Sequence, residues 1–230
     1  MVRVLLLFLM LVSGMAFALC ERPLRVAVED WPPYQLESEG RWTGIDVERV
    51  DQLLRGVGCV AVFMSVPAGR SHLMLERGDI DILMAASDVP ERHRYAWFTE
   101  PYRQEVMSVF GVQGRMDLPA GFGRLVETGL VLIAPRAGWY GAEYAQIRNE
   151  LIESYRLLVF DVTPQAVTML AAGRGDLLLG DHEAVLLAAA ELGIELTPMW
   201  VANDAPVHLM LSRASLTEVH LDSLNALLRD

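Results

Sequence analysis

Short apolar runs alternate with segments of helical period along most of this chain, and that alternation predicts parallel strands joined by helices. Leu24 to Val28 reads as a strand, Asp46 to Val57 as a helix closed by Gly58, and Val60 to Val66 as the next strand. Gly69 to Arg77 is then a helix, Ile80 to Ala85 a strand, and Gln104 to Val112 a further extended run. A loose, glycine-containing stretch from Gly114 to Gly123 interrupts the pattern. Beyond it come strand Leu130 to Ala134, helix Tyr140 to Ser154, strand Leu157 to Phe160, helix Pro164 to Ala172, strand Leu177 to Leu179 and helix His182 to Leu192. Val207 to Leu211 reads as a returning strand and Leu216 to Leu228 as a last amphipathic helix.

An internal echo organises these elements. Met74-Leu75-x-x-Gly78-x-x-Asp81-Ile82-Leu83 reappears with identical spacing as Met169-Leu170-x-x-Gly173-x-x-Asp176-Leu177-Leu178. Each copy ends a helix on a glycine able to take the left-handed cap conformation and then enters a buried strand. The expectation is two lobes on one plan, each a mostly parallel sheet flanked by helices. Residues 19–110 and 205–230 would build the first lobe and residues 111–204 the second, with crossings near Phe110 to Gln113 and Val201 to Pro206. Ligands of open α/β sheets bind beyond the carboxyl ends of strands. Ser87, Asp88 and Arg92 therefore face a shared cleft from the first copy and Asp181 from the second. A cation at one end and an anion at the other suit a zwitterion.

The N-terminus adds a location. Arg3, an unbroken apolar run from Val4 to Val12, and Ala16-Phe17-Ala18 form the charged, apolar and A-x-A regions of a secretory signal. Cleavage is expected after Ala18, and the apolar run is short for a membrane span. Leu19 before Cys20 argues against a lipid anchor. About 212 residues then remain, enough for two modest lobes with proper cores. The net charge of -11 becomes more negative without Arg3, which repels phosphate backbones and anionic membranes, so nucleic acid is excluded as a partner. Cys20 and Cys59 are the only cysteines, and export favours a disulfide between them. Each sits just before a strand start, so parallel pairing of the two strands would bring the sulfurs to one sheet edge. The bond would close a loop of about 40 residues, worth ~4 kcal/mol on chain entropy. A metal site is the other use of two thiols, but no His pair accompanies them.

Ser87-Asp88-Val89-Pro90-Glu91-Arg92, followed by Trp97-Phe98-Thr99-Glu100-Pro101-Tyr102, resembles the S-x-T-x-x-R…F-S-x-P-Y signature of the family 3 extracellular solute-binding proteins, the polar amino acid receptors of ABC importers. Leu24-Arg25-Val26-Ala27-Val28 with Trp31-Pro32-Pro33-Tyr34 resembles the family's opening, and Gly44-Ile45-Asp46 its G-x-D element. The resemblance implies the two-lobed, type II periplasmic-binding-protein fold, a periplasmic monomer and a membrane ABC permease as partner. It implies that Arg92 forks onto a ligand carboxylate with Ser87 adding a hydroxyl, and that Asp181 receives the α-ammonium. Trp31 would stack on the ligand, with Tyr34 either beside it or in the core. Backbone N–H groups of Arg136 to Gly141, around Trp139, would meet an anionic ligand end.

Two residues depart from the family pattern. Val89 stands where threonine is usual, and Ala68 stands where many members carry an aromatic ring. Two further functions share the scaffold. A periplasmic enzyme resembling cyclohexadienyl dehydratase would need a poised acid, for which position alone nominates Glu143 or Glu183. A sensing subunit would present its closed form to a membrane receptor. Phosphate loops, zinc spacings and nucleophile motifs are absent from the sequence, and no cofactor is implied.

Overall fold

The computed structural model describes residues 19–112, 114 and 119–229. The expected export segment, residues 1–18, and Gln113 of the first expected crossing lie outside the described residues. The chain opens with β1 (Leu24–Val28), a hairpin of β2 (Leu36–Ser38) and β3 (Arg41–Thr43), α1 (Ile45–Gly56), β4 (Ala61–Ser65), α2 (Ala68–Arg77) and β5 (Ile82–Ala86). A 3₁₀ turn over Pro90–Arg92 leads to β6 (Ala96–Phe98) and the long β7 (Arg103–Val112). Then follow α3 (Phe122–Val126), β8 (Leu132–Pro135), α4 (Ala142–Glu153), β9 (Leu157–Phe160), α5 (Thr163–Ala171) and β10 (Leu177–Asp181). The chain closes with α6 (His182–Leu192), β11 (Leu196–Ser212) and α7 (Glu218–Arg229).

The main sheet runs β4-β1-β5-β11-β7-β10-β8-β9, with β6 attached to β11. It contains two parallel triples, β4-β1-β5 and β10-β8-β9, joined by antiparallel pairing through β7 and β11. β11 pairs with β7 from Leu196 to Val207, then with β5 and β6 from His208 to Ser212, so one strand serves both halves. This is a mixed α/β architecture with a central sheet flanked by helices, as the alternation of elements predicts.

Strands β1, β8 and β10 are buried on both faces, which is why they read as apolar runs, while β4 and β9 at the sheet edges are only partly covered. In β1, Leu24, Val26 and Val28 pack toward α1 and α7, with Val47, Val50, Leu53, Leu54 and Leu224. Ala27 packs on the other side, under α2 and Leu75. In the second half Leu132, Ala134, Leu177 and Leu179 face α3 and α4, while Ile133 and Leu178 face α5 and α6. Met107 and Val109 of β7 lie in the first of these second-half clusters and Phe110 in the other.

The two copies of the internal echo build the same device. Gly78 after α2 and Gly173 after α5 both sit at positive φ, 76° and 69°. In each copy the glycine N–H returns to the carbonyl of Leu75 or Leu170, and the next N–H to that of Met74 or Met169. The aspartate three residues on then exchanges two bonds with the first strand of its half. Asp81 N–H donates to the Arg25 carbonyl at 2.8 Å and Asp81 Oδ2 accepts from Arg25 N–H at 2.8 Å. Asp176 N–H donates to the Val131 carbonyl at 2.8 Å and its Oδ2 accepts from Val131 N–H at 2.9 Å. A disulfide joins Cys20 to Cys59, with Cα atoms 5.2 Å apart, across the entries to the parallel neighbours β1 and β4.

Several elements differ from the sequence reading. β11 begins at Leu196, eleven residues before the predicted strand. Pro198, Asn203, Asp204 and Pro206 read as breakers, yet this stretch pairs through β7 with register shifts after Pro198 and Val201, and an edge tolerates prolines. The hairpin β2–β3, strand β6 and helix α3 are too short to leave a periodic signal. α4 starts at Ala142 rather than Tyr140, because Gly141 at φ 97° turns the chain into the helix.

Asp81 is fully buried and receives Arg22 at 2.7 Å, Arg25 at 2.9 Å and Ser215 Oγ at 2.6 Å. Burial alone would raise its pKa, but these donors together hold it well below the usual carboxylate range. A depressed folded-state pKa supplies stability above the unfolded value that is lost as pH falls below it. Asp81→Ala, which strands two guanidiniums, is expected to cost about 3–5 kcal/mol in urea unfolding at neutral pH. Below about pH 4 the gap between variant and parent should narrow.

Candidate functional site

The loops beyond β1, β5 and β10, together with residues 135–140, enclose a cavity of about 510 Å³ between the two halves. Its walls hold Trp31, Ala68, Ser87 and Arg92 from the first half and Trp139, Tyr140 and Asp181 from the second. Of the residues expected at a cleft, Ser87, Arg92, Asp181, Trp31 and Trp139 are thus brought to one cavity. Asp88 is not among them: its carboxylate turns to His93 on the exposed side of the loop. Glu143 and Glu183 lie exposed in the first turns of α4 and α6 and do not line the cavity.

Tyr34 takes a structural place instead of a lining one. It is buried beneath Trp31, with ring centroids 4.7 Å apart, and its hydroxyl donates across the halves to Asp181 at 3.2 Å. Arg103 also lies against it, its guanidinium carbon 4.1 Å from the ring centroid and 5.5 Å from that of Trp31. Arg103 in turn forks onto the fully buried Asp46, Nε to Oδ1 at 2.8 Å and Nη2 to Oδ2 at 3.1 Å. The G-x-D element supplies this arrangement. Gly44, at φ 113°, brings the backbone so close to Tyr34 that a Cβ would meet its carbonyl oxygen at 2.5 Å, and Asp46 N–H donates to the same carbonyl.

Asp181 ends β10 and caps α6, its Oδ1 accepting Ala184 N–H at 2.9 Å. Burial raises its pKa against the lowering effect of that bond, Arg103 and Tyr34. Arg92 projects from the 3₁₀ turn, donates from Nη1 to the Ser87 carbonyl at 2.9 Å, and makes no ion pair among the described residues. Burial lowers its pKa, the mark of a cation short of anionic company. Ser87 Oγ donates to the Trp139 carbonyl at 3.4 Å, a second contact across the cavity. Arg136 pairs with Asp161 at 2.7 Å on the rim, and the Tyr140 hydroxyl donates to the Ala137 carbonyl.

Three lining groups escape sequence reasoning. Glu29 follows β1, and its Oε2 accepts Ala68 N–H at 3.1 Å at the start of α2. His72 in α2 meets the Tyr95 hydroxyl at 3.2 Å, and burial, then Arg92, pushes it down to about 4, so it is neutral at physiological pH. Glu105 lies in β7 with its side chain 7% exposed, and burial pushes it up to about 7. Arg103, whose fork is turned to Asp46, opposes that rise from 3.8 Å. The alternation of β7 could have marked Glu105, since an acid among Val106, Met107, Val109 and Phe110 breaks an apolar run.

A model of the bacterial extracellular solute-binding proteins, family 3, matches residues 24–182. The structure is similar to a histidine kinase sensor domain with similarity to periplasmic binding proteins, at 20% identity over 91% of this chain and 89% of that one, with a TM-score of 0.76. It is also similar to the arginine-bound form of a truncated arginine-binding protein from T. maritima, at 18% identity over 90% and 95% of the two chains, TM-score 0.74. An ancestral amino acid-binding protein, a precursor of cyclohexadienyl dehydratase, shares 20% identity over 90% of this chain and 88% of its own, TM-score 0.73. At these identities the likeness is one of fold. No curated protein sequence matches this chain.

The raised pKa of Glu105 has a consequence for stability. An acid whose folded pKa lies above its unfolded value favours the folded state below the unfolded pKa, and that favour is lost as pH rises through about 7. Glu105→Gln removes the cost of burying the charge, on the order of 3 kcal/mol. The ligand-free variant should therefore melt several degrees above the parent at pH 8, with the difference shrinking toward pH 5, as read by scanning calorimetry.

Proposed function

We propose a solute-binding role for this chain, which belongs to the bacterial extracellular solute-binding proteins, family 3: it closes around a small zwitterion, an amino acid or a related small carboxylate. Membership in an extracellular family implies a secreted, periplasmic protein. Removal of residues 1–18 as a signal and delivery of the bound solute to an ABC permease belong to the proposal.

The carrying observation is the placement of Arg92 and Asp181 on opposite sides of one cavity. Arg92 is a half-buried cation without an ion-pair partner among the described residues, and Asp181 is a buried anion whose pKa burial raises. Each is costly to keep charged alone, and a ligand carrying a carboxylate and an ammonium relieves both. The guanidinium fork donates to the carboxylate, with the Ser87 hydroxyl as a further donor. Asp181 receives the ammonium beside the Tyr34 hydroxyl. Trp31 and Trp139 cover the apolar part of the solute.

Closure follows from the same geometry. A ligand that touches Arg92 and Asp181 together does so only when the halves are near, so it shifts the equilibrium by its differential affinity for that state. The crossings expected near Phe110 to Gln113 and Val201 to Pro206 move, in this proposal, to residues 99–103 and 205–208, because β7 packs with the second half. Met107, Val109 and Phe110 belong to the second half's core and would move with it.

The family resemblance includes receptors of transporters, and one similar structure is a kinase sensor domain, so the partner is a separate question from the ligand. For ligand binding the test is direct. Amino acids and small carboxylates are screened by thermal shift, and the compound giving the largest rise is titrated calorimetrically into parent and Arg92→Ala protein. Affinity is expected to fall by about a hundredfold, the worth of a charge-assisted fork. Unchanged affinity would remove Arg92 from the site. The titrated compound should be recovered unaltered, since the proposed role is binding without turnover.

A further inference from the structure

We propose that Tyr102 is a positioning residue for the solute site: its hydroxyl holds Ala85 in a left-handed turn at the end of β5, and that turn aims Ser87, and Arg92 behind it, at the cavity. The inference rests on the zwitterion reading of Arg92 and Asp181 and extends it to a side chain that does not itself line the cavity.

Ala85 sits where β5 meets the cavity. Its φ of 51° lies in the left-handed region that residues with a Cβ avoid, yet the residue is alanine and not glycine. The sheet shows why the chain turns there. Ala86 pairs with His208 and Leu83 with Met210, so Met84 and Ala85 together oppose the single residue Leu209 of β11. That count is a β-bulge, which re-aims the residues that follow it.

Leu209 spends both of its backbone groups elsewhere: its N–H donates to Thr99 Oγ1 and its carbonyl accepts from Thr99 N–H, each at 3.1 Å. Ala85 N–H donates instead to the phenol oxygen of Tyr102 at 3.0 Å. Tyr102 is anchored in its turn. Its N–H donates to the Val207 carbonyl at 3.1 Å, and its ring packs against the core cluster of β1 and α1. The phenol is thus a fixed acceptor for a backbone group that the bulge takes out of the strand ladder.

What the turn positions is the cationic end of the site. Two residues after Ala85, the Ser87 carbonyl accepts from Arg92 Nη1 at 2.9 Å, and Ser87 Oγ reaches the Trp139 carbonyl at 3.4 Å. Arg92 makes no ion pair among the described residues, so the aim of its guanidinium follows the backbone of residues 85–87. Without the phenol oxygen, Ala85 loses the bond that offsets its strained φ, and an ordinary extended conformation becomes the better choice. Ser87 and its carbonyl then shift with it. A glycine at position 85 has no such conflict, because it takes positive φ at no steric cost.

The test measures by calorimetry the affinity of the full chain for L-glutamine, L-arginine, L-glutamate and L-phenylalanine, four zwitterions that differ in side-chain charge and shape. Parent protein is compared with Y102F, A85G/Y102F and R92A. For the tightest binder of the four, Y102F is expected to weaken binding about tenfold. The double variant should return the affinity to within about threefold of the parent, a rescue that loss of packing around the phenol would not allow. In ligand-free Y102F the Ala85 amide should exchange with solvent about tenfold faster than in the parent, as read by NMR. If Y102F does not fold, A85G/Y102F carries the test: affinity within about threefold of the parent supports the inference, and weaker binding overturns it. Undiminished binding in folded Y102F, a loss that glycine does not restore, or an unchanged exchange rate would each overturn it. Where R92A weakens binding and Y102F does not, the zwitterion reading stands and this inference falls. No binding by any of the four would count against both.

Discussion

The site depends on the bond between Asp46 and Arg103. Asp46 is wholly buried in the first turn of α1, and Arg103 begins β7, the strand by which the chain enters the second half. Their forked contact fixes the guanidinium as a plate on which Tyr34 lies at 4.1 Å and Trp31 at 5.5 Å. Tyr34 then reaches Asp181, and Arg103, forked onto Asp46 and donating to the Gln104 carbonyl, is left 3.8 Å from Glu105. One ion pair thus positions an aromatic wall, orients the acid on the far side and leaves another acid under-neutralised. Had Arg103 been bound to Glu105 instead, the cavity floor would be neutral and Asp46 would be the uncompensated charge, buried where no ligand reaches.

The parallel triples are the frame on which that bond acts. In both, a left-handed glycine ends a helix, and an aspartate three residues later clasps the backbone of the neighbouring strand. The clasp sets the register in which β5 and β10 run toward the cavity, and so where Ser87 and Asp181 emerge. Asp81 carries an added load of two arginines and a serine, which ties the residues before β1 and those after β11 to the same carboxylate. The disulfide between Cys20 and Cys59 restrains the opposite flank of β1. These ties therefore lie at the strand starts, away from the loops at the strand ends that line the cavity.

What could be read in the sequence was what is local or repeated. The echo marks the paired glycine turns, and Ser87 and Arg92 of the S-x-x-x-x-R spacing line the cavity. Asp181 was visible as a residue closing a buried strand before a helix. Tyr34 was ambiguous between ligand and core because its surroundings come from Arg103 and Asp181, far along the chain. Glu105 was missed for the same reason: whether an acid in a strand faces solvent or a cavity is decided by what β10 and α1 place beside it. The early part of β11 was missed because its prolines and polar residues obey edge rules that only the finished sheet reveals.

The contact between Tyr34 and Asp181 bears on how a ligand could enter without dismantling the site. The Tyr34 hydroxyl is shared between the two carboxylate oxygens, at 3.2 and 3.3 Å, and Oδ1 also accepts from Ala184. A carboxylate offers about four acceptor positions, so these two donors leave room for an ammonium. An ammonium there need not displace the phenol; it would bring an opposite charge to an anion that burial makes costly. Because burial presses the pKa values of Asp181, Glu105 and Glu29 all upward, the empty cavity is a place where negative charge is held at a cost. A ligand of the complementary sign recovers that cost on binding, and recovers most when the two halves are close enough for water to be excluded.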